Sequence, residues 1–411
     1  MYGSRGDSTR GITVIGGGPG DGDYLTGQAR AAIGRAERVY AARRYFEFVP
    51  PEKLRPLEPL AAALTAIGAD CRAGIRAAVI VSGDPGVFSL LAALKRRLGD
   101  ENLTVVPGVS ALQAFCAALG EAWQDSRVLS GHGRILSENA LAYTVRTNAS
   151  VVVFCDAERS PAWVCATLVR AGLPDTSVAV GERLGYADER VTIGAPGDLA
   201  RGGYDALSMA RVLNPDPEPA GPRVGMPDDA FIRGKTPMTK REIRAGIASA
   251  LRLRPDALVW DIGAGTGSVT IESALQCPFG DVYAVERDAG AIELIRRNIE
   301  RFHALNVHVV EGSAPDALAG LPAPTHVFIG GSGGGCGAII DSLRRLDAPF
   351  RLAATAVTLE TAHELLAALS DWHGVEAAQL AVSRLELVGG CHMFRARNPV
   401  FIISADWEGR A

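Results

Sequence analysis

Asp261-Ile-Gly-Ala-Gly-Thr-Gly267 is the stretch whose residue types and spacing speak most directly of chemistry. It follows the apolar run at 257–260 and leads into a helical pattern near Ser268. Glycines in such a place let the chain turn tightly and let a ligand approach the main chain with no Cβ in the way. Glu286 ends the next apolar run, 19 residues after Gly267. A carboxylate there can accept hydrogen bonds from both ribose hydroxyls of a nucleoside. A lone glycine repeat is weak evidence, but the repeat, the acid and the helix between them make a stronger set. The nearest rival is a nicotinamide dinucleotide site. Its fingerprint puts the third glycine three residues after the second, and here the gap is two.

A second set of glycine loops lies near the start of the chain. Ile15-Gly-Gly-Gly-Pro-Gly-Asp21 follows one apolar run, Ser82-Gly-Asp-Pro-Gly-Val-Phe88 another, and Pro107-Gly-Val-Ser-Ala111 a third. Taken alone, the first is as well explained by a tight turn as by a nucleotide loop. Thr26 opens a helix with Ala29, Ala32 and Ile33 on its apolar face. Between the two sets, Met238-Thr-Lys-Arg-Glu-Ile-Arg244 has the form of a capping box, with Thr239 as N-cap and Glu242 three residues on. Ile243, Ile247 and Leu251 continue an apolar face, and Pro255 ends it.

The elements that must carry these loops are short apolar strands separated by helical stretches. They fall at 12–15, 77–81, 103–106 and 151–154, and again at 257–260, 282–285, 307–310, 326–329 and 400–403. This alternation predicts α/β architecture with buried, mostly parallel sheets. Asn214-Pro-Asp-Pro-Glu-Pro-Ala-Gly-Pro222 has four prolines in nine residues and cannot support a helix or a central strand. We therefore expect a domain over 1–212, a proline-rich linker over 213–222 and a second domain over 223–411. A chain of 411 residues is long enough for that division.

Bulk properties narrow the function classes. With 47% hydrophobic and 21% charged residues the composition is that of a globular protein. A net charge of −4 provides no global field to gather nucleic acid. No apolar run is long enough for a membrane span, and Met1–Asp7 is not followed by the apolar core of a signal peptide. The seven cysteines form no CxxC pair and do not cluster with the histidines, so neither a metal site nor a disulfide framework is expected, and a reducing cytoplasm is the expected location. Only four of the 42 basic residues are lysines, Lys53, Lys95, Lys235 and Lys240, so nearly all the positive charge is Arg. That suits a polycarboxylate ligand, because Arg grips carboxylates with two prongs, and it equally suits a GC-rich genome.

The Asp-x-Gly-x-Gly-x-Gly loop resembles the first motif of class I S-adenosylmethionine-dependent methyltransferases, and Glu311-Gly-Ser-Ala-Pro315 resembles their adenine-binding segment. Strand four runs into Phe328-Ile-Gly-Gly-Ser-Gly-Gly-Gly335 and not into the Asn-Pro-Pro-Tyr-type motif of enzymes that methylate planar nitrogens. Together with Ala356-Val-Thr-Leu-Glu360 and Gly389-Gly-Cys-His-Met-Phe394, these segments resemble the decarboxylating precorrin methyltransferases. The three N-terminal loops, with Leu119-Gly-Glu-Ala-Trp-Gln-Asp125 and Ser130-Gly-His-Gly-Arg134, resemble the class III tetrapyrrole methyltransferases. That family has two α/β subdomains with the cofactor between them.

The resemblance implies two S-adenosylmethionine sites per chain, no metal, a tetrapyrrole substrate and a homo-oligomer. It places Pro19, Asp84, Gly86, Ser110 and Ala111 in the first cofactor pocket. The second takes Thr239, Gly263, Ala264, Gly265, Thr266, Gly267, Glu286 and Ala314. The fused pair resembles the bifunctional family that methylates positions 5 and 15 of a precorrin and removes carbon dioxide from an acetate side chain. His132 and His392 are the acid–base candidates. Each reads more simply as a loop histidine with a satisfied hydrogen bond. Arg384, Arg395 and Arg397 could pair with substrate carboxylates. Two other readings stay open: an RNA methyltransferase, which would call for a basic face, and a non-catalytic tetrapyrrole carrier.

Overall fold

The computed structural model describes residues 11–132, 136–221, 223–331 and 334–410. Met1–Arg10, Gly133 and Arg134 of the Ser130–Arg134 segment, Pro222 of the linker, and Ser332 and Gly333 of the strand-four loop lie outside the described residues. The chain divides into two compact units, and the main break in sequence falls between Pro217 and Glu218.

The first unit contains two five-stranded sheets. One is built from β1 (Ile12–Gly16), β2 (Arg38–Ala41), β3 (Leu54–Pro56), β4 (Ala77–Val81) and β5 (Leu103–Val106), in the order β3-β2-β4-β1-β5. All its pairings are parallel. Every residue of β4 is buried, as its uninterrupted apolar run requires. Because β4, β1 and β5 are parallel neighbours, the three glycine loops that follow them leave the sheet at one edge. Thr26 caps the helix Gly27–Arg35 through the Ala29 amide (3.1 Å), and Ser110 caps Ala111–Leu119 in a full capping box with Gln113.

The second sheet comprises β6 (Arg127–Ser130), β7 (Ser150–Phe154), β8 (Ser177–Glu182), β9 (Arg190–Gly194) and β10 (Ser208–Leu213), ordered β6-β7-β10-β8-β9. Here the expectation of a mostly parallel sheet fails. Only β6 and β7 run parallel, while β10 is antiparallel to both its neighbours and β9 is antiparallel to β8. The reason lies in the connections, since β8 and β9 are joined by seven residues, too few for a crossover helix.

The second unit is built on a seven-stranded sheet: β11 (Leu258–Ile262), β12 (Asp281–Glu286), β13 (Val307–Glu311), β14 (His326–Ile329), β15 (Phe350–Ala356), β16 (His373–Leu380) and β19 (Val400–Trp407). The order is β13-β12-β11-β14-β15-β19-β16, and only β19 runs against the rest. Between β16 and β19 the chain makes a separate two-stranded ribbon, β17 (Ser383–Val388) and β18 (Cys391–Ala396). The ribbon is thus the connection of a hairpin, which explains why β19 re-enters antiparallel. Its outer face carries Leu385, Leu387 and Phe394, all largely exposed, and its tip carries Cys391, the one exposed cysteine of the seven. The direction of the strand order reverses between β11 and β14, the place where open α/β sheets form a crevice at the carboxyl ends of their strands.

One local expectation is corrected. The helix over Arg241–Leu251 has Lys240, not Thr239, at its N-cap, and no side chain caps it. The Thr239 carbonyl instead accepts from the Arg244 guanidinium (2.5 Å), and the Glu242 carboxylate is taken by Arg384 (2.6 Å) and Arg241 (3.2 Å). Long-range ion pairs overrode the local capping pattern.

Candidate active sites

In the first unit the three loops meet main chain to main chain. A Cβ at Gly16 would lie 2.5 Å from the Gly108 nitrogen, and one at Gly108 would lie 2.5 Å from the Gly83 oxygen. Real side chains cannot stand so close, so this junction accepts only glycine. Asp84 locks it further. One carboxylate oxygen accepts from the Gly86 amide (2.7 Å) and the other from the Gly108 amide (3.1 Å), tying the second loop to the third. The junction borders a cleft of about 220 Å³ lined by Pro19, Arg44, Asp84, Ser110, Ala111 and His132 among others. Four of the five expected cofactor residues thus come together there, with His132 beside them. Gly86 does not line the cleft; it acts through its amide on Asp84.

Arg44 was missed in the sequence. Among the described residues it is the only lysine or arginine on that cleft's wall, and its Nε is buried with no hydrogen-bond partner. Nothing in the local sequence distinguishes it from Arg43 beside it.

In the second unit the Gly263–Gly267 loop divides two cavities. On one side lies a cleft of about 330 Å³ that includes Thr239, Gly263, Ala264, Gly265 and Thr266, with Ile243, Val269, Phe328 and Val357 as apolar wall. On the other lies a cavity of about 230 Å³ lined by Gly263, Glu286, Arg287, Ser313, Ala314 and Gly331. Gly263 (φ +75°) is pressed against the strand-four loop, and a Cβ on it would sit 2.2 Å from the Gly331 oxygen. Gly267 lines neither cavity. It takes φ +76° at the N-cap of the helix Ser268–Gln276 and packs on Ile295.

Glu286 holds the loop from below. One oxygen accepts from the Gly265 amide (2.8 Å), the other from the amides of Arg287 (2.8 Å) and Asp288 (2.9 Å). Asp261 has a different task. It is buried, accepts from the Thr270 hydroxyl (2.5 Å), and burial pushes its carboxyl up to about 7. It anchors the strand end to the following helix and does not face either cavity.

These features fit a nucleoside sulfonium cofactor. Glu286 borders the polar cavity where a ribose would lie, and a buried Thr266 hydroxyl on the neighbouring cleft has no hydrogen-bond partner of its own. Carbon-directed methyl transfer needs alignment and a dry site more than acid–base groups.

His392 is not brought to either cavity. It sits on the exposed ribbon across from Leu387. Arg384 lines the larger cleft but is bound to Asp228 (3.0 Å) and Glu242 (2.6 Å), and Arg395 and Arg397 both pair with Glu386. Among the described residues no group of His, Cys, Asp and Glu is arranged to hold a metal, and no helix is long and apolar enough to cross a membrane.

Residues 11–200 match the family described as Tetrapyrrole (Corrin/Porphyrin) Methylases, and residues 229–406 match the Precorrin methyltransferase domain. Precorrin-6Y C(5,15)-methyltransferase [decarboxylating] from Sinorhizobium sp is 32% identical over 398 residues, which is 95% of this chain and 94% of that protein. The chain belongs to this family. A shorter relative, Cobalt-precorrin-6B C(15)-methyltransferase (decarboxylating) from Salmonella typhimurium (strain LT2), is 40% identical over 187 residues, 44% of this chain and 96% of that one. A crystal structure of precorrin-6y C5,15-methyltransferase from Geobacter metallireducens covers 44% of this chain and 96% of its own, with 42% identity and a TM-score of 0.42. As a member of the precorrin-6Y methyltransferases, the protein is an S-adenosylmethionine-dependent methyltransferase of cobalamin biosynthesis. Its fold joins the class III and class I methyltransferase architectures.

Proposed function

We propose that the two units divide the work on one precorrin-6 macrocycle. The first unit methylates position 5. The second methylates position 15 and releases carbon dioxide from the ring-C acetate, giving precorrin-8X. The observation that carries this reading is that each unit has its own glycine-built cleft, each in a segment matching a different precorrin or tetrapyrrole methylase family. The one-domain relative named for the C(15) decarboxylating reaction supports giving both second-unit steps to one site.

S-adenosylmethionine, when bound, supplies a methyl group on a sulfonium whose thioether leaves without an acid. The chain's part is to hold and align. Glu286 and the Gly263–Thr266 backbone would orient the nucleoside, Thr239 and Thr266 line the approach, and Ile243, Val269, Phe328 and Val357 keep water away. The conjugated macrocycle itself can take up the electron pair left by the departing carbon dioxide. In the first cleft Pro19, Ser110 and Ala111 would contact the cofactor, and His132 is the side chain to which we assign proton transfer. The reading also includes two cofactor sites per chain, no metal, a cytoplasmic location and self-association. Seven free cysteines support the location, and the exposed apolar face of the ribbon supports self-association.

Product mass from the full chain tests the division. The native protein is expected to add two methyl groups and remove one carbon dioxide. Gly16→Ala should lose the position-5 methyl and Gly263→Ala should lose decarboxylation. Carbon dioxide release by Gly263→Ala at the native rate would overturn the assignment.

A further inference from the structure

The cleft beside the second glycine loop adjoins an annex of about 720 Å³, and the two share Lys240, Glu242, Arg384 and Arg397. The annex adds Arg233 and Arg241 to the cations, and Asp228 and Asp229 to the acids. Five cations against three acids leave a local excess of two positive charges, in a chain whose net charge is −4. Most of those cations are already committed. Arg384 lies between Asp228 (3.0 Å) and Glu242 (2.6 Å), Arg241 is on Glu242 (3.2 Å), and Arg397 is on Glu386 (3.1 Å). Arg233 and Lys240 are exposed and have no carboxylate partner among the described residues.

We propose that Lys240 and Arg233 bind peripheral carboxylates of the macrocycle that do not react, and thereby set which acetate reaches the apolar part of the cleft. The proposal rests on the reading of the second unit as acting on a carboxylate-bearing tetrapyrrole. Physical chemistry separates spectator from reacting carboxylates. A cation paired with a carboxylate stabilises the charged ground state and opposes loss of carbon dioxide, whereas an apolar wall does not. The acetate that leaves therefore belongs against Ile243, Val269 and Phe328, and the carboxylates that stay belong on Lys240 and Arg233. A carboxylate also exists on the methionine part of the cofactor. Arg233 favours the macrocycle, because it lines the annex and not the cleft that contains Gly263–Thr266.

The test uses the full chain with a precorrin-6 macrocycle and variants Lys240→Ala, Arg233→Ala and Lys240→Arg. Loss of one charge-assisted contact should raise the KM for the macrocycle in carbon dioxide release about tenfold. The kcat should change little, and Lys240→Arg should restore most of the loss. The double alanine variant should raise KM further, and added salt should shrink its difference from the native protein. Position-5 transfer and the second unit's S-adenosylmethionine affinity should stay at native values, the latter serving as the folding control. An unchanged KM would overturn the proposal. So would a KM kept at the native value with cofactor affinity weakened, which would assign Lys240 to the methionine carboxylate. If the native chain neither methylated nor decarboxylated the macrocycle, the reading beneath the proposal would fall with it.

Discussion

Gly263 is where one atom decides whether the second site exists. Its Cα faces the Gly331 carbonyl so closely that a methyl group would sit 2.2 Å from the oxygen. Gly263→Ala must therefore push the two loops apart, at about 1–3 kcal/mol of stability. We expect a small drop in Tm, and calorimetry should find one cofactor equivalent bound per chain in place of two. Asp261, two residues away, offers a pH signature. Its carboxyl is pushed up to about 7 by burial, whereas burial drives His326 down to about 4. A carboxyl held above its ordinary value is most favourable to folding below about pH 4. Its contribution falls as pH rises to about 7 and is constant beyond. The buried histidine acts in the opposite sense, since folding gains as pH rises from about 4 to 6.5. The two slopes offset each other in the native chain. Asp261→Asn should expose the histidine's slope, so that denaturation midpoints of the second unit climb across that range more steeply than in the native protein.

At the scale of elements, the helix Arg241–Leu251 is held by a buried cation. The Arg244 guanidinium is fully buried, bonds Glu272 (2.7 Å) and Asp228 (2.9 Å), reaches the carbonyls of Thr239 and Met226, and covers the Phe231 ring at 4.6 Å. Glu272 in turn accepts the amides of Gly225 and Met226, so one cluster fixes both the helix and the segment leading into the unit. Arg244→Met would leave the buried Glu272 carboxylate without a cation and Asp228 with Arg384 alone, and removing one partner of a buried pair costs about 3–5 kcal/mol. We expect a lower denaturant midpoint for the second unit and reduced cofactor affinity there, because Thr239 would lose its anchor.

This cluster also marks the limit of what the sequence discloses. The nine apolar runs all became strands, and Thr26, the glycine loops and Glu286 sit where their local patterns put them, because turn chemistry and strand burial are properties of neighbouring residues. Arg244 finds its partners 16 and 28 residues away, and Glu242, the other half of the expected capping box, is taken by Arg384 142 residues away. His392 looked chemical beside Gly389-Gly390, but those glycines only turn an exposed ribbon. The antiparallel second sheet was hidden because an apolar run does not carry its own direction.

For the whole molecule, the two clefts are built from separate glycine junctions in separate units, and this argues that their cofactor equilibria are independent. Gly16→Ala and Gly263→Ala should each remove one binding isotherm and leave the other's Kd within about twofold. Loss of both isotherms in either variant would contradict that independence.

The distribution of thiols has a practical consequence. Burial pushes the Cys155 thiol far above its ordinary range and Cys165 and Cys277 up to about 12, so these sulfurs are poor nucleophiles at neutral pH. Cys391 is exposed at the tip of the β17–β18 ribbon. A maleimide fluorophore added in equimolar amount should label that position first. The native chain thus carries its own attachment point for an optical reporter, on the connection that leads from β16 past Arg384 and Arg397 to β19. Emission from such a dye would follow the ribbon as macrocycle is added, with no engineered cysteine required.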